Sequence, residues 1–422
     1  MAALMLVAIF GIRPLFSDRL PTGFYGYDVS AGQDLALTVG MTCLVSLGLG
    51  VFLASGGNRS RPGERPRPVG AQPMTLGRLA VASAGGVVVY AVFMAARYGP
   101  SVFGELMAGR SASLSETLGG IPEVVTTLPL SGSVAAALYL ISHRSQKMSS
   151  AEWWAVTLAA LVSVIGVSAL GNRRFLIPAV LAPVIAALVR RPVRLHLWHL
   201  AVGLAMVVVL AAIPMVRSAG ARAPGQSFVD ALLQYIQQEG IVGTLVPVFA
   251  SYDTEMFDYI ALAGPSLQSG FDPWGAGRGT LLAFVTWPMP SAWFQSYRDE
   301  VLTRFWGGGC GNPVCPVSSL AGVLYFDGGL IVVAIGSVLA GLLLRRLTLV
   351  LANAVEASTL KLLMTVIASS FALVAVRTDT VAAIWWCFYM CGIGLVSYAL
   401  LPRNAQPVTT PRLQHDKSLR QR

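Results

Sequence analysis

The stretch GVLYFDGGLIVVAIGSVLAGLLL, residues 322–344, decides the fold class of this 422-residue chain. Its one charged residue is Asp327, near its start, and two arginines, Arg345 and Arg346, follow its last leucine. A helix needs about 20 predominantly apolar residues to cross the hydrocarbon core of a bilayer. The stretch therefore predicts a membrane-spanning helix that carries a carboxylate close to one face of the membrane.

Apolar stretches of this length recur along the chain. Hydrophobic residues make up 55% of the sequence and charged residues 12%, and the mean hydropathy is +0.66, which excludes a soluble globular protein. We expect an all-α fold, a polytopic transmembrane helical bundle of ten spans. The predicted spans are residues 1–16, 34–54, 78–96, 125–142, 151–171, 174–190, 198–216, 322–344, 359–376 and 380–401.

The distribution of basic residues predicts the orientation of these spans. Alternate connections and the C-terminal tail hold 18 of the 30 lysine and arginine residues, and loops rich in these residues stay in the cytoplasm. Both termini are then cytoplasmic. The predicted organisation is spans one to seven in 1–216, an extracytoplasmic loop with short helices in 217–317, spans eight to ten in 318–401, and a basic cytoplasmic tail in 402–422. Anionic lipid headgroups explain the basic tail, so we predict no nucleic-acid partner.

The loop 217–317 determines which chemistry is available on the outer side. It contains eight carboxylates and five arginines but no lysine and no histidine. Ser/His/Asp and Cys/His catalysis are therefore excluded there, and a general base must be a carboxylate, with tyrosine as the remaining alternative. We predict Asp327, Glu255 and Asp258 as catalytic candidates, without ranking them. An apolar run at 280–288 is too short to span and predicts a re-entrant or interfacial segment.

Two cysteines, Cys310 and Cys315, lie in the same loop. The environment outside the plasma membrane is oxidising, so we predict a disulfide between them. A metal site is not expected, because that side of the membrane offers no further cysteine or histidine as a ligand.

Arginines gather at the outer ends of several spans, where positive charge opposes the orientation signal. Arg173 and Arg174 lie at the tip of a tight hairpin, and Arg377 begins the last one. The planar guanidinium group binds phosphate oxygens bidentately. We predict that these three arginines bind a phosphate or diphosphate, with Arg217 and Arg298 as secondary contacts. The alternative is that they pair with a neighbouring carboxylate or with lipid.

Two motifs carry a resemblance to a known family. They are PVSSLAGVLYFDGGL, residues 316–330, followed in the same span by Gly336 and Gly341, and the hairpin GNRRFLIP, residues 171–178. The chain thereby resembles the oligosaccharide repeat-unit polymerases, the Wzy-type O-antigen and capsule polymerases. That family has a Pro-Thr/Ser-x-x-Gly-x-x-Tyr-x-Asn/Asp-x-Gly pattern leading into a late span, a Gly-x-Arg turn, and one large outer loop late in the chain.

The resemblance implies a metal-independent glycosyltransferase that needs no cofactor. It would transfer a growing glycan from undecaprenyl diphosphate to a hydroxyl group of the next lipid-linked repeat unit. Its partners would be the lipid-linked oligosaccharide, the lipid bilayer and a regulator of chain length. The protein would be located in the bacterial plasma (inner) membrane. Trp274, Trp287, Trp293 and Trp306 would offer flat faces to sugar rings, although anchoring at the membrane interface explains them equally well.

Three other functions remain open from the sequence. An O-antigen ligase-like transferase would share the donor and the arginines, but such ligases carry an outer histidine that this chain lacks. A transporter or flippase of lipid-linked glycan would show internal repeats, and we find none. A non-catalytic membrane scaffold would not need a ring of arginines.

Overall fold

The structure is a computed structural model. It describes residues 23–24, 27–28, 30–55, 88, 91–93, 95–97, 99, 130–143, 147–169, 173–190, 230, 233–238, 240, 256–261, 275–288, 319–377 and 380–400. These residues are helical apart from connections and one two-stranded hairpin, in which β1 (Gly23–Phe24) pairs antiparallel with β2 (Tyr27–Asp28).

Nine α-helices are described in this part of the chain. They are α1 (Gln33–Leu53, preceded by a 3₁₀ turn at Ser30–Gly32), α2 (Ser131–Ser142), α3 (Ser150–Ala169), α4 (Arg173–Arg190), α5 (Met256–Ala261), α6 (Ala283–Thr286, preceded by a π-helical turn at Arg278–Leu282), α7 (Ser319–Ala352), α8 (Thr359–Arg377) and α9 (Thr380–Ala399). Among the described residues four helices, α1, α7, α8 and α9, are long and apolar enough to cross a membrane, and α2, α3 and α4 are shorter apolar helices. The chain is therefore a helical membrane protein.

Most predicted spans that fall on described residues coincide with helices. The spans at 34–54, 151–171, 174–190, 359–376 and 380–401 match α1, α3, α4, α8 and α9 to within two residues at each end. The span at 125–142 is described only from 130 onward, and the span at 78–96 only at scattered helical positions. The spans at 1–16 and 198–216 lie outside the described residues.

The span predicted at 322–344 differs from the helix observed there. Helix α7 runs from Ser319 to Ala352, and it is broken at Gly328 and Gly329. Gly328 is extended (φ 177°), and Gly329 has φ 68° and ψ −159°, a conformation that only glycine adopts readily. The part after the break is about 34 Å long at 1.5 Å per residue, which is enough to cross a bilayer without the part before it.

The connection between α2 and α3 shows how local sequence sets a helix start. Ser149 and Glu152 form a reciprocal pair, in which the Ser149 N–H donates to Glu152 Oε2 (2.7 Å) and the Glu152 N–H donates to Ser149 Oγ (3.3 Å). This is the capping-box arrangement. Tyr139 Oη of α2 donates a hydrogen bond to the other oxygen of Glu152, so the cap of α3 also ties it to α2.

The buried apolar side chains form two main clusters. The five-helix cluster joins α2, α3, α4, α8 and α9, with Phe175 and Trp386 among its large members. The three-helix cluster joins α1, α5 and the first half of α7, with Phe257 and Phe326 in its centre. Val376, near the end of α8, packs into the three-helix cluster and so brings the two groups together.

Helices α1 and α7 run parallel and very close together. Ser337 Oγ contacts Cys43 Sγ at 3.2 Å, and further along both helices in the same direction Gly341 faces Gly50. A Cβ atom on Gly341 would lie 3.0 Å from the Gly50 Cα atom, so only glycine permits this backbone approach. The parallel direction puts the start of α1 at the same end of the bundle as Asp327.

Candidate functional site

Asp327 is the most unusual charged residue in the described part of the chain. It is the last residue before the break in α7, and only 5% of it is exposed. Its Oδ1 atom accepts a hydrogen bond of 2.7 Å from the Gly279 N–H. Its buried Oδ2 atom has no hydrogen-bond partner among the described residues. Leaving a buried oxygen unsatisfied costs about 1–3 kcal/mol, so Oδ2 is an acceptor that gains from a hydrogen-bond donor.

The half-helix before the break holds Asp327 firmly. It begins at Ser319, whose φ is 62°, and the Gly322 N–H donates to Ser319 Oγ across 3.3 Å. Tyr325 and Phe326, which precede Asp327, are both nearly fully buried in the three-helix cluster. The burial of these neighbours and the hydrogen bond to Gly279 restrict the carboxylate at the end of this half-helix.

Residues 275–288 form a segment that we call the strap, and its first turn docks on Asp327. The Gly275 N–H donates to the Phe326 carbonyl oxygen at 2.7 Å, four residues before Gly279 bonds Asp327. A Cβ atom on Gly275 would overlap the Phe326 ring. Between these glycines Ala276 (φ 47°) and Gly277 (φ 85°) make a left-handed turn, closed by hydrogen bonds from the Arg278 N–H and Nε to the Gly275 carbonyl.

The other end of the strap docks on α9 through aromatic side chains. Trp385 Nε1 donates to the Phe284 carbonyl oxygen at 2.8 Å, and the Phe284 and Trp385 rings stack with centroids 5.1 Å apart. The Trp287 ring is nearly parallel to that of Trp385, at 8° and 6.2 Å, and meets Trp386 edge to face at 5.6 Å. The strap thus bridges the two apolar clusters, with Asp327 at one end and a group of tryptophans at the other.

The predicted apolar run at 280–288 lies within the strap and is helical from Arg278 to Thr286. One side of it is strongly exposed, with Leu281 at 74% and Val285 at 55%. A helix of this length is too short to cross a bilayer. Its entry into the membrane stays a prediction.

The structure brings the helix that bears Asp258 into the same cluster as Asp327. Asp258 lies on α5 and is buried, and its neighbours Phe257 and Tyr259 pack in the three-helix cluster together with Phe326. Gly32 at the start of α1 approaches the backbone of α5 so closely that a Cβ atom would overlap it. Glu255, the third predicted carboxylate, lies outside the described residues.

The predicted arginines are described only through their backbone or not at all. Arg173 and Arg174 are the first two residues of α4, and Arg377 is the last residue of α8. Phe175 meets Trp386 edge to face at 4.2 Å, so the start of α4 lies beside the first turns of α9, the helix on which the strap docks. Arg217 and Arg298, and the predicted disulfide between Cys310 and Cys315, lie outside the described residues.

Sequence reasoning named Asp327 and Trp287 but missed the glycines and the α9 tryptophans that build the other strap contacts. Gly275, Gly277 and Gly279 alternate with other residues just before the apolar run, and such spacing is a usable signal for close backbone approach. The adjacent Trp385 and Trp386 near the start of an apolar span were a second signal, because large aromatic pairs pack with specific geometry. In the described part of the chain no three His, Cys, Asp or Glu residues lie together in a way that could hold a metal ion.

Comparison with known proteins adds no relative. No protein-family profile, curated protein or solved structure matches this chain. The class that the described residues define is that of a helical membrane protein in which a buried carboxylate lies at a helix break.

Proposed function

We propose that this protein is a membrane glycosyltransferase. In the proposed function it polymerises oligosaccharide repeat units linked to undecaprenyl diphosphate into surface polysaccharide. The reaction takes place on the outer face of the bacterial inner membrane. The proposed topology has ten spans, cytoplasmic termini and an extracytoplasmic loop at 217–317, so that Asp327 and the strap lie at the outer face.

The observation that carries this proposal is the unsatisfied Oδ2 atom of Asp327. A sugar hydroxyl is a weak nucleophile, and a positioned carboxylate that accepts its proton accelerates the attack by about 10²–10⁴-fold. In the proposed step the acceptor hydroxyl oxygen bonds to the anomeric carbon of the donor glycan. The bond from that carbon to the diphosphate oxygen breaks, undecaprenyl diphosphate leaves with the electron pair, and the hydroxyl proton passes to Asp327.

The diphosphate leaving group needs positive charge where its negative charge develops. Arg173 and Arg174 begin α4, and Arg377 ends α8, and the start of α4 lies beside the first turns of α9, the helix on which the strap docks. Guanidinium groups there support the proposal because they would hold the diphosphate bidentately. Asp258 remains a second candidate for the base or for positioning a sugar.

The first experiment is deletion of this protein in its host, followed by sizing of the surface glycan and of the lipid-linked intermediates. Single repeat units at the surface in place of long polymer would support a polymerase. Long polymer accumulating on its lipid carrier would point to a ligase-like transferase instead. Unchanged glycan would overturn the proposal.

A transporter of lipid-linked glycan is the second candidate, and the break in α7 favours it. Many transporters bind their coupling ion or substrate at discontinuous helices whose irregular backbone lines a cavity. In the same deletion experiment a transporter would leave repeat units trapped on the inner leaflet. The position of the trapped intermediate therefore separates the two functions.

A further inference from the structure

The hydrogen bond between Gly279 and Asp327 joins residues 48 positions apart in the sequence. It occupies one oxygen of a planar carboxylate, and by doing so it also sets the direction of the other oxygen. We propose that Gly279 is a positioning residue, whose backbone N–H holds Oδ1 and thereby aims Oδ2 at the reacting hydroxyl group. The role of Oδ2 toward the hydroxyl group rests on the proposed function. The hydrogen bond between the Gly279 N–H and Oδ1 is part of the structure and does not depend on that function.

A side chain at residue 279 would crowd Asp327 and Phe326. A Cβ atom there would lie 2.9 Å from Asp327 Oδ1, 3.1 Å from Phe326 Cδ1 and 3.5 Å from Asp327 Cγ. Gly279 is not among the glycines with positive φ, so any residue could adopt its backbone conformation. An added methyl group would therefore act by displacing the carboxylate, the Phe326 ring or the strap, and not by straining its own backbone.

The surrounding contacts direct that displacement to the carboxylate. The Phe326 ring has no free space around it, because Phe326 is only 2% exposed, and the hydrogen bond from the Gly275 N–H to the Phe326 carbonyl oxygen holds the strap in place. Catalysis by a positioned base is sensitive to such shifts, because misplacement by about 1 Å can lower a rate by about 10²-fold.

The test compares Gly279→Ala with Gly48→Ala in the full chain. Gly48 is the matched control, because it is also a helical glycine and a Cβ atom there would have no neighbour within 4 Å. Both proteins are reconstituted in liposomes with lipid-linked repeat units isolated from a strain that lacks this protein. We expect Gly279→Ala to lower kcat by about 10- to 100-fold with KM within about twofold of wild type. Gly48→Ala should equal the wild type.

A merely structural role would lower the amount of folded protein and leave kcat per folded molecule unchanged. That result, or an unchanged kcat in Gly279→Ala, would overturn the proposal. The measurement is therefore normalised to the protein that elutes as a monodisperse peak in detergent.

A second measurement does not depend on the proposed function. In a chain whose five native cysteines are replaced by serine, Gly279→Cys combined with Asp327→Cys should form a disulfide on mild oxidation. A Cβ atom on residue 279 would lie 3.5 Å from Asp327 Cγ, which is close to where a cysteine sulfur at residue 327 would lie. Gly48→Cys combined with Asp327→Cys should form no disulfide. Absence of the first cross-link would overturn the inference even if the wild type makes polymer. A cross-link in a protein that extends no glycan would instead overturn the proposed function and leave the juxtaposition intact.

Discussion

Trp385 Nε1 donates a hydrogen bond of 2.8 Å to the carbonyl oxygen of Phe284, and this bond fixes the end of the strap that lies farther from Asp327. The same tryptophan stacks on Phe284 and runs nearly parallel to Trp287. One side chain of α9 therefore holds the strap both by a polar contact and by aromatic packing. Since the other end is held by glycine contacts to α7, the strap is anchored on both apolar clusters.

Trp385→Phe should loosen this anchor while keeping an aromatic ring in place. The substitution removes the only N–H that bonds the Phe284 carbonyl oxygen among the described residues, and leaving that oxygen without a donor costs about 1–3 kcal/mol. We expect a lower midpoint of thermal unfolding, measured as the loss of the monodisperse peak after heating in detergent. Trp154→Phe is the control, since Trp154 is 75% exposed and should change the midpoint little. Equal midpoints for the two variants would contradict the anchoring role.

The helices could be predicted from the sequence because each depends on its own apolar residues. The extents of α1, α3, α4, α8 and α9 follow from runs of about 20 such residues, and the structure confirms them closely. The break in α7 was not predicted, because Gly328 and Gly329 are compatible with a continuous span as well as with a break. The strap docks on Phe326 and Asp327 immediately before the break, and no local pattern encodes a contact between segments so far apart.

The candidate site was foreseen only in part for the same reason. Asp327 stood out because a lone carboxylate in an apolar segment is costly and therefore rarely incidental. Its hydrogen bond to a backbone N–H could not be read from the sequence, because every residue except proline offers such a donor. The contact of Trp385 with Phe284 was equally hidden, since an apolar span accommodates aromatic residues whether they face lipid or protein.

Asp327→Asn should separate the two roles of this side chain, which are to hold the strap and to accept a proton. The amide oxygen can still accept the Gly279 N–H, so the strap should remain docked, but the amide nitrogen cannot accept a proton from a sugar hydroxyl. We expect chain extension to fall by about 10²-fold or more with normal protein levels in the membrane. The measurement is the length distribution of surface glycan in a deletion strain that expresses the variant.

Asp34→Asn is the control for that experiment. Asp34 is an exposed carboxylate in the first turn of α1, and α1 begins at the same end of the bundle as Asp327. It should support polymer of wild-type length. If Asp327→Asn also gave wild-type polymer, Asp327 would be a structural cap of the strap and the base would have to be sought at Asp258 or in the loop.

Gly341→Ala should destabilise the pair of parallel helices α1 and α7. A Cβ atom at this position would lie 3.0 Å from both the Gly50 Cα and the Val51 nitrogen and would overlap the Leu47 carbonyl oxygen. Backbone atoms cannot rotate away as a side chain does, so the helices must separate, at a cost of about 1–3 kcal/mol. The measurement is again thermal unfolding in detergent.

Gly392→Ala is the control for Gly341→Ala, and we expect that it does not destabilise the protein. Gly392 lies in α9, and a Cβ atom there would meet nothing within 4 Å. Alanine is favoured over glycine in a helix interior by about 0.5–1 kcal/mol, so this variant should be as stable as the wild type or slightly more stable. A Gly341→Ala protein as stable as Gly392→Ala would show that α1 and α7 are not in backbone contact.

Arg377→Ala should abolish chain extension and leave the protein level in the membrane intact. Arg377 ends α8 next to Val376, which packs in the same apolar cluster as Phe326, so its backbone lies at the end of the bundle that carries the strap. Loss of a guanidinium group that stabilises the departing diphosphate should lower the rate by about 10²-fold. Arg346→Ala is the control, since Arg346 is exposed near the opposite end of α7. Wild-type polymer lengths from Arg377→Ala would refute the role of this arginine.

Cys310 and Cys315 should be joined by a disulfide if the loop 217–317 faces an oxidising compartment. In intact cells a membrane-impermeant maleimide should then label neither cysteine, and should label both after a reductant is added. Cys43 serves as an internal control, because it is fully buried against Ser337 and should stay unlabelled in both conditions.

Rapid labelling of Cys310 and Cys315 without reductant would refute the disulfide but would still place the loop outside. Labelling only after permeabilisation would place the loop in the cytoplasm, and with it the strap and Asp327. The proposed transfer to surface glycan would then be impossible at this site, so this one labelling pattern tests the topology on which the whole mechanism depends.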